Sequence, residues 1–398
     1  MKKLLLATAA SALLATGALA GSHVKEVKIG VIIGFTGPIE SLAPAMGSAA
    51  EQAMAEVTAS GAFLGGSKVT GIRGDSTCID SAAAQAAAER LITSDGVSAI
   101  MGADCSGVTG AILQNVARTN GIVMISPSAT SPALSTAEDD GLFFRTAPSD
   151  ARQGQVMTDN IMDRGIKTVA LTYTNNDYGK GLADAFQAAF EAAGGTVTIN
   201  TSHEDGKADY SAEVGALASA GGEVLVVAGY LDQGGKGIIQ GSLDSGAFDT
   251  FVLPDGMVGD SLPAAIGPDL NGSFGQVPGT DSPGATMMAD IGAANGFEGT
   301  SPFAPESYDA AALIMLAMQS AGSSASADFK DHVMSVANAP GTQIFPGELG
   351  KAMKILADGG EVDYVGGSAV ELIGPGESAG NYREIEIKDG ALTTVQYR

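Results

Sequence analysis

The chain has 398 residues, few aromatic residues, no tryptophan and a formal charge of −24 at pH 7. This length favours two domains over one. So acidic a surface repels phosphate backbones, which argues against nucleic acid as a partner.

The first twenty residues have the form of a cleaved export signal. Lys2 and Lys3 precede a short apolar run at 4–14, and Ala18-Leu19-Ala20 matches the small-x-small pattern of a cleavage site. The apolar run is too short to span a membrane. We therefore expect residues 1–20 to be a signal peptide, with an uncleaved anchor as the alternative.

After the signal, short β-rich runs alternate with alanine-rich helical stretches. Continuous apolar runs between helices are typical of a parallel sheet that is covered on both faces. The first half of the chain predicts strands at 27–33, 68–73, 97–101 and 122–126, and helices at 45–58, 82–92 and 107–118.

The same alternation restarts in the second half, so the sequence predicts two doubly wound α/β units of similar size. The stretch 272–305 is rich in Gly, Pro, Ser and Asp and is predicted as a crossover with loops, before an apolar helix at 308–321. The β-like pieces at 362–364 and 382–387 are expected to complete the two units. The second unit predicts helices at 153–164, 179–193, 211–220 and 234–245, and strands at 168–174, 196–201, 223–228 and 250–253.

The chain has two cysteines, Cys78 and Cys105, and both lie in the part expected to be exported. An oxidising compartment favours a disulfide between them. Such a bridge stabilises the fold by roughly 3 kcal/mol in the chain-entropy estimate. Two buried free thiols are the alternative. No His, Cys or acidic cluster has the spacing of metal ligands, so we predict neither a metal nor a cofactor.

Polar side chains follow the predicted strands, where ligands bind in open α/β sheets. In the first unit Ser106 begins a helix and Thr130 follows a strand, which suits an anion such as a carboxylate. In the second unit Asp255 occurs with Tyr178 and Tyr230, and a carboxylate among aromatic rings suits an ammonium group. Together they predict a zwitterion held between two domains. Taken singly, each residue could instead be a helix cap, a turn residue or a packing residue.

Motifs for catalysis are missing from the sequence. It contains no GxxxxGK[ST] loop, no GxSxG elbow and no HExxH pair, and no His lies near a candidate nucleophile. We therefore predict a binding protein without catalytic residues. An exported hydrolase that uses Asp255 as a base is the alternative from the enzyme class.

Seven segments together resemble the leucine/isoleucine/valine-binding family of periplasmic receptors that serve ABC importers. The likeness covers nearly the whole chain after the signal. The segments are Gly34-Phe-Thr-Gly-Pro38, Gly74-Asp-Ser-Thr-Cys-Ile-Asp80, Asp104-Cys-Ser106, Met124-Ile-Ser-Pro-Ser-Ala-Thr130, Phe144-Arg-Thr-Ala-Pro-Ser-Asp150, Asn176-Asp-Tyr-Gly-Lys-Gly181 and Pro254-Asp-Gly256.

The resemblance implies a type I periplasmic-binding-protein fold, with two doubly wound α/β lobes joined by a three-strand hinge. The expected N-terminal lobe is 21–147 plus 279–380, and the expected C-terminal lobe is 148–278 plus 381–398. The resemblance also implies a ligand site. Its expected members are Ser106 and Thr130 for the ligand carboxylate, Ser128 for a backbone contact, Asp255 for the ammonium group, and Tyr178 and Tyr230 as aromatic walls.

Three further residues bear on specificity. Leu42 falls near another pocket position of the family, whereas Glu40 and Glu306 lie near pocket segments and are unusual for a purely aliphatic site. We therefore predict a periplasmic, monomeric, non-enzymatic receptor that takes a small-molecule amino acid to an ABC permease of the inner membrane. A receptor for an amide, urea or an aromatic carboxylate is the alternative, as is a sensor subunit with the same fold.

Overall fold

The computed structural model describes residues 25–398, so the expected signal peptide at 1–20 lies outside the described residues. A π-helical segment, Leu113–Ala117, joins the helix Ser106–Ile112 to the short helix Arg118–Asn120. The strands are β1 Glu26–Ile33, β2 Lys68–Asp75, β3 Ala99–Gly102, β4 Met124–Ser126, β5 Phe143–Pro148, β6 Thr168–Thr174, β7 Thr196–His203, β8 Val224–Ala228, β9 Phe251–Leu253, β10 Phe274–Pro278, β11 Thr342–Ile344, β12 Val362–Tyr364, β13 Leu372–Ile373, β14 Glu377–Ser378, β15 Tyr382–Lys388 and β16 Ala391–Tyr397. The helices are α1 Ala43–Ser60, α2 Ser81–Thr93, α3 Ser106–Ile112, α4 Arg118–Asn120, α5 Asp150–Asp163, α6 Asp177–Ala192, α7 Ser211–Ala220, α8 Gly234–Ser245, α9 Ser261–Ile266, α10 Pro283–Asn295, α11 Ala304–Ala321, α12 Ser326–Phe329, α13 Val333–Ala337 and α14 Leu349–Ala357.

Each of two lobes is built on a seven-stranded sheet, and the two sheets share one strand order. The first runs β2-β1-β3-β4-β5 with all pairs parallel, followed by β14 and the antiparallel β13. The second runs β7-β6-β8-β9-β10, also parallel, and ends in the antiparallel β15 and β16. Apolar side chains bury these central strands on both faces. The prediction of two doubly wound lobes is therefore confirmed.

The chain passes between the lobes three times. β5 ends at Pro148 and α5 begins at Asp150 in the other lobe; β10 ends at Pro278 before α10; and β14 ends at Ser378 before β15. These crossings form the three-strand hinge that the resemblance implied. The residue boundaries of the lobes stay a prediction.

The stretch 272–305 contains the predicted crossover, at Pro278, but the prediction of loops is wrong, because this stretch also contains strand β10 and helix α10. Glycines there serve close packing. A Cβ at Gly275 would overlap the carbonyl oxygen of Leu253 in the next strand, so only glycine fits that strand position. The piece at 362–364 also differs from expectation, since it pairs with β11 in a separate two-stranded sheet.

The carboxyl ends of β1, β2 and β3 are tied together at the cleft edge of the first lobe. Cys78 and Cys105 form a disulfide with a Cα–Cα distance of 5.1 Å, which confirms that prediction. Asp104 Oδ2 accepts the Gly34 N–H at 2.6 Å, and Asp104 Oδ1 accepts the Ser76 hydroxyl at 2.7 Å. The loop that carries Ser106 is therefore held from two sides.

Within residues 25–398, none of the helices is both long enough and apolar enough to cross a membrane.

Candidate functional site

A cavity lies between the lobes, where strand ends of the two sheets face each other. The unoccupied space there, counted together with the part that is open to solvent, is about 310 Å³. In both sheets the first strand is flanked by the second and third, which is the switch point where open α/β sheets bind ligands. Five of the six predicted ligand residues line the cavity, and Thr130 does not. The lining residues are Ile39, Leu42, Asp104, Cys105, Ser106, Ser128, Tyr178, Tyr230, Asp255, Gly256 and Phe303.

Ser106 supplies a hydrogen-bond donor on the wall of the first lobe. It is the first residue of α3, and its Oγ accepts the backbone N–H of Ser131 at 3.0 Å. Because that bond uses a lone pair, the hydroxyl proton remains available to a ligand atom in the cavity. Ser128 differs, since its Oγ already donates to the carbonyl oxygen of Asp104 at 3.0 Å.

Thr130 lies behind this wall. Its side chain is fully buried, and its Oγ1 has no hydrogen-bond partner within residues 25–398. The hydroxyl is close enough to Asp150 to lower the pKa of that carboxyl, yet the two side chains do not meet hydrogen-bond geometry. Among the described residues, Thr130 Oγ1 and Asp150 Oδ2 therefore remain free for another partner. The expected carboxylate contact of Thr130 stays a prediction.

Asp255 supplies the carboxylate on the wall of the second lobe. Its Oδ1 accepts the Tyr178 hydroxyl at 2.6 Å and the Gly256 N–H at 2.8 Å. The Tyr178 ring stacks on Tyr230 with centroids 5.1 Å apart and an interplanar angle of 17°. Burial raises the pKa of Asp255, although these hydrogen bonds to the charged form oppose the rise.

Two residues that sequence reasoning missed complete the acidic side of the site. Asp150, the first residue of α5, is fully buried, and burial together with the charge of Asp255 holds its pKa well above its usual value. Gln153 links Asp150 to the backbone of Asp255: its Nε2 donates to Asp150 Oδ1 at 2.7 Å, and its Oε1 accepts the Asp255 backbone N–H at 3.0 Å. The sequence does contain Asp150, at the end of the segment Phe144–Asp150, but there it looks like an ordinary residue at the start of a helix.

The acidic residues flagged for specificity stand apart from the cavity. Glu40 is exposed and does not line it. Glu306 lines a second pocket, of about 490 Å³ counted together with the part that is open to solvent. This pocket includes the hinge crossing at Pro278 and shares Phe303 with the ligand cavity. Burial raises the pKa of Glu306 to about 8. The wall near the ligand space is therefore Leu42, Ile39 and Phe303.

The site offers donors on one wall and a carboxylate on the other. Among the described residues, no His, Cys, Asp and Glu side chains cluster in a way that could hold a metal ion. The chemistry within reach is hydrogen bonding and charge pairing with a small molecule.

Comparison with protein families matches residues 26–356 to the periplasmic binding protein family. A Leu/Ile/Val-binding protein homolog 1 of Brucella melitensis is 31% identical over 318 residues, covering 78% of this chain and 83% of that protein. Homolog 3 of the same organism is 34% identical over 222 residues, covering 56% of this chain and 59% of that protein.

Solved structures share the fold. The Streptococcus pneumoniae branched-chain amino acid substrate-binding protein LivJ, in complex with isoleucine, superimposes with a TM-score of 0.75 at 22% identity, covering 93% of this chain and 99% of that one. A Rhodopseudomonas palustris solute-binding protein in complex with benzoate gives a TM-score of 0.72 at 19% identity, covering 94% and 96%. At these identities the likeness concerns the fold alone.

Proposed function

The chain belongs to the periplasmic binding protein family, and from that premise we propose that it binds a free α-amino acid between its lobes for an ABC importer. One observation carries the proposal: the cavity has a free hydroxyl donor on one lobe and the Asp255 carboxylate on the other. A zwitterion presents the complementary pair of groups.

The carboxylate of the ligand is assigned to the first lobe. Ser106 donates its free hydroxyl proton, and Ser128 contributes a backbone contact. Thr130, whose hydroxyl has no partner among the described residues, is the proposed second donor. Hydrogen bonds to a charged acceptor are about twice as strong as neutral ones. No buried cation is needed for this half of the ligand.

The ammonium group is assigned to Asp255, with Asp150 as a second carboxylate behind it. Both groups have raised pKa values because they are buried, and the charge of Asp255 adds to the effect at Asp150. A bound ammonium supplies the counter-charge that these carboxylates lack. Tyr178 and Tyr230 form the aromatic wall beside it.

The side chain of the ligand is assigned to the apolar part of the cavity. Leu42, Ile39 and Phe303 line it, and Glu40 and Glu306 do not. This composition supports an aliphatic side chain, in agreement with the Leu/Ile/Val specificity in the name of the relative described above.

Closure of the lobes connects binding to transport. A ligand that contacts both lobes favours the closed form, since only differential affinity shifts the open–closed equilibrium. We propose that the three crossings act as the hinge and that the closed monomer, exported to the periplasm, docks on an inner-membrane permease. The protein acts here by binding, without catalysis or a cofactor.

An aromatic carboxylate is the second candidate, because one structural neighbour binds benzoate. Such a ligand would satisfy the donors of the first lobe. It would leave the buried Asp255 carboxylate without a counter-charge, which is costly. The site therefore supports the amino acid more strongly.

Thermal unfolding against a panel of amino acids, amides, urea and aromatic carboxylates tests the proposal. A ligand at 100 times its dissociation constant is expected to stabilise the protein by about 2.7 kcal/mol. We expect the aliphatic amino acids to give the largest shifts. A shift with benzoate-type acids or amides and none with any amino acid would refute the proposal.

Ser106→Ala is expected to weaken amino-acid binding by about 1–3 kcal/mol, because the ligand carboxylate loses a charge-assisted hydrogen bond. Thr130→Ala is expected to weaken binding by a similar amount. Ser128→Ala is the matched control: its hydroxyl already donates to Asp104, so its removal should affect affinity less. Calorimetry gives the affinities. Equal affinities of the parent and both the Ser106 and Thr130 variants would place the carboxylate elsewhere.

A further inference from the structure

The lobes are joined at the rim of the cleft by hydrogen bonds outside the ligand cavity. Asp232, between β8 and α8, accepts the backbone N–H of Ser41 on its Oδ2 at 2.9 Å. Its Oδ1 accepts the hydroxyl of Ser261, the first residue of α9, at 2.9 Å. The hydroxyl oxygens of Ser41 and Ser261 are 3.1 Å apart. We call Ser41, Asp232 and Ser261 the rim latch.

The direction of each hydrogen bond in the rim latch follows from counting protons. A hydroxyl has one proton, and that of Ser261 goes to the Asp232 carboxylate, which can only accept. The Ser41 hydroxyl must therefore donate to Ser261 Oγ. Ser41 of the first lobe thus donates twice to the second lobe, once from its backbone and once from its side chain.

A backbone bond joins the same two segments. The N–H of Asp232 donates to the carbonyl oxygen of Pro38 at 3.1 Å. The Asp232 side chain is not occupied in capping α8, because the N–H of Gly234 at the start of that helix donates to Asp205 instead. The carboxylate of Asp232 is therefore free to serve the contact between lobes.

The rim latch adjoins the ligand cavity without lining it. Ile39 and Leu42, on either side of Ser41, line the cavity, as does Tyr230, two residues before Asp232. Leu42 also approaches Gly259 so closely that a Cβ at Gly259 would be 3.1 Å from Leu42 Cδ2. The polar groups of the rim latch bond to each other and not to the cavity. By doing so they fix the positions of neighbouring residues that line the cavity from both lobes.

We propose that the rim latch stabilises the closed form independently of ligand, and that Asp232 is a positioning residue that sets ligand affinity and residence time. The proposal rests on the proposed function, because a hydrogen bond between the lobes raises ligand affinity only if the lobes close on a ligand. The apparent dissociation constant equals the intrinsic one divided by the closed fraction, so bonds made only on closure lower it.

Asp232→Ala is expected to weaken binding about tenfold, mainly through faster dissociation, because the ligand enters the open form before the latch closes. Asp269→Ala, which removes an exposed aspartate of the same lobe, is the matched control and should leave both rates unchanged. Calorimetry gives the affinity and stopped-flow mixing gives the rates. A merely structural role predicts a lower melting temperature with an unchanged dissociation rate, and that result would overturn the proposal.

Ser41→Ala and Ser261→Ala provide a double-mutant cycle. The two hydroxyls form one chain, so the double variant is expected to lose less affinity than the two single losses added together. Additive losses of affinity would mean that the two hydroxyls contribute independently, and would overturn the hydrogen-bonded series Ser41–Ser261–Asp232.

Hydrogen exchange of the Ser41 amide tests the latch without any ligand. Unliganded Asp232→Ala should exchange this amide faster than the unliganded parent, because the acceptor is gone. Equal exchange in the two proteins would overturn ligand-independent closure. If no amino acid in the panel binds, the proposed function fails, yet the exchange measurement still decides whether the latch exists.

Discussion

Asp255→Asn is expected to weaken the binding of a free α-amino acid by a hundredfold or more. The variant leaves the ligand ammonium without its counter-charge inside a cavity where Asp255 is 1% exposed. Breaking a buried charge pair in this way typically costs about 3–5 kcal/mol. Asparagine keeps an oxygen that can accept the Tyr178 hydroxyl and the Gly256 N–H, so the fold should be preserved.

Calorimetry with an amino acid and its des-amino analogue decides this prediction. The analogue brings no cation, so its affinity should fall much less, and the ratio of the two affinities should drop in the variant. Asp260→Asn, five positions away and exposed, is the control and should leave the ratio unchanged. An unchanged ratio in Asp255→Asn would show that Asp255 does not bind the ammonium group.

The same carboxylate makes binding depend on pH. Burial raises the pKa of Asp255 in the free protein, and a bound ammonium favours its ionised form. Affinity should therefore be greatest above the raised pKa and fall as the pH drops through it, with protons taken up by the protein as ligand leaves. Asp255→Asn should retain only the dependence that comes from Asp150, whose pKa burial also raises.

The repeating β/α pattern was readable in the sequence because buried parallel strands are nearly continuous apolar runs. The strand Thr168–Thr174 and the helices Ser211–Ala220 and Gly234–Ser245 have the predicted bounds. In each case the spacing of apolar residues predicts the element, and a glycine or a polar residue follows its last residue. Local composition and tertiary structure agree here.

Local composition was misleading where glycine serves packing. Helix α10 contains Gly284 and Gly292, and a Cβ at either position would overlap backbone atoms of a neighbouring segment, at Gly366 and at Gly299. A sequence pattern cannot separate such glycines from those of a loop. The missed helix is therefore a consequence of contacts between distant segments.

The ligand site was predictable on both walls, but only for residues at the strand ends. Residues at strand ends, such as Ser106 and Asp255, follow from the position of ligands in α/β sheets. Asp150 and Gln153 belong to α5, which begins after a hinge crossing, and only the three-dimensional path of that crossing brings them beside Asp255. The rim latch was hidden for the same reason, since Ser41 and Asp232 are 191 positions apart.

Glu306→Gln is expected to change how stability depends on pH. Glu306 is 2% exposed, its Oε2 has no hydrogen-bond partner within residues 25–398, and burial raises its pKa from 4.5 to about 8. Because the folded state holds this proton more tightly than the unfolded state, the group destabilises the fold increasingly as the pH rises from about 4.5 to about 8. The neutral glutamine lacks this effect.

The variant and the parent should thus be equally stable below pH 4.5, and the variant should be more stable by on the order of 5 kcal/mol above pH 8. Thermal or urea unfolding across this range measures the difference. Glu361→Gln, an exposed glutamate of the first lobe, is the control and should give a profile parallel to that of the parent. A parallel profile for Glu306→Gln would contradict the raised pKa and show that the Glu306 carboxyl is not desolvated in the folded protein.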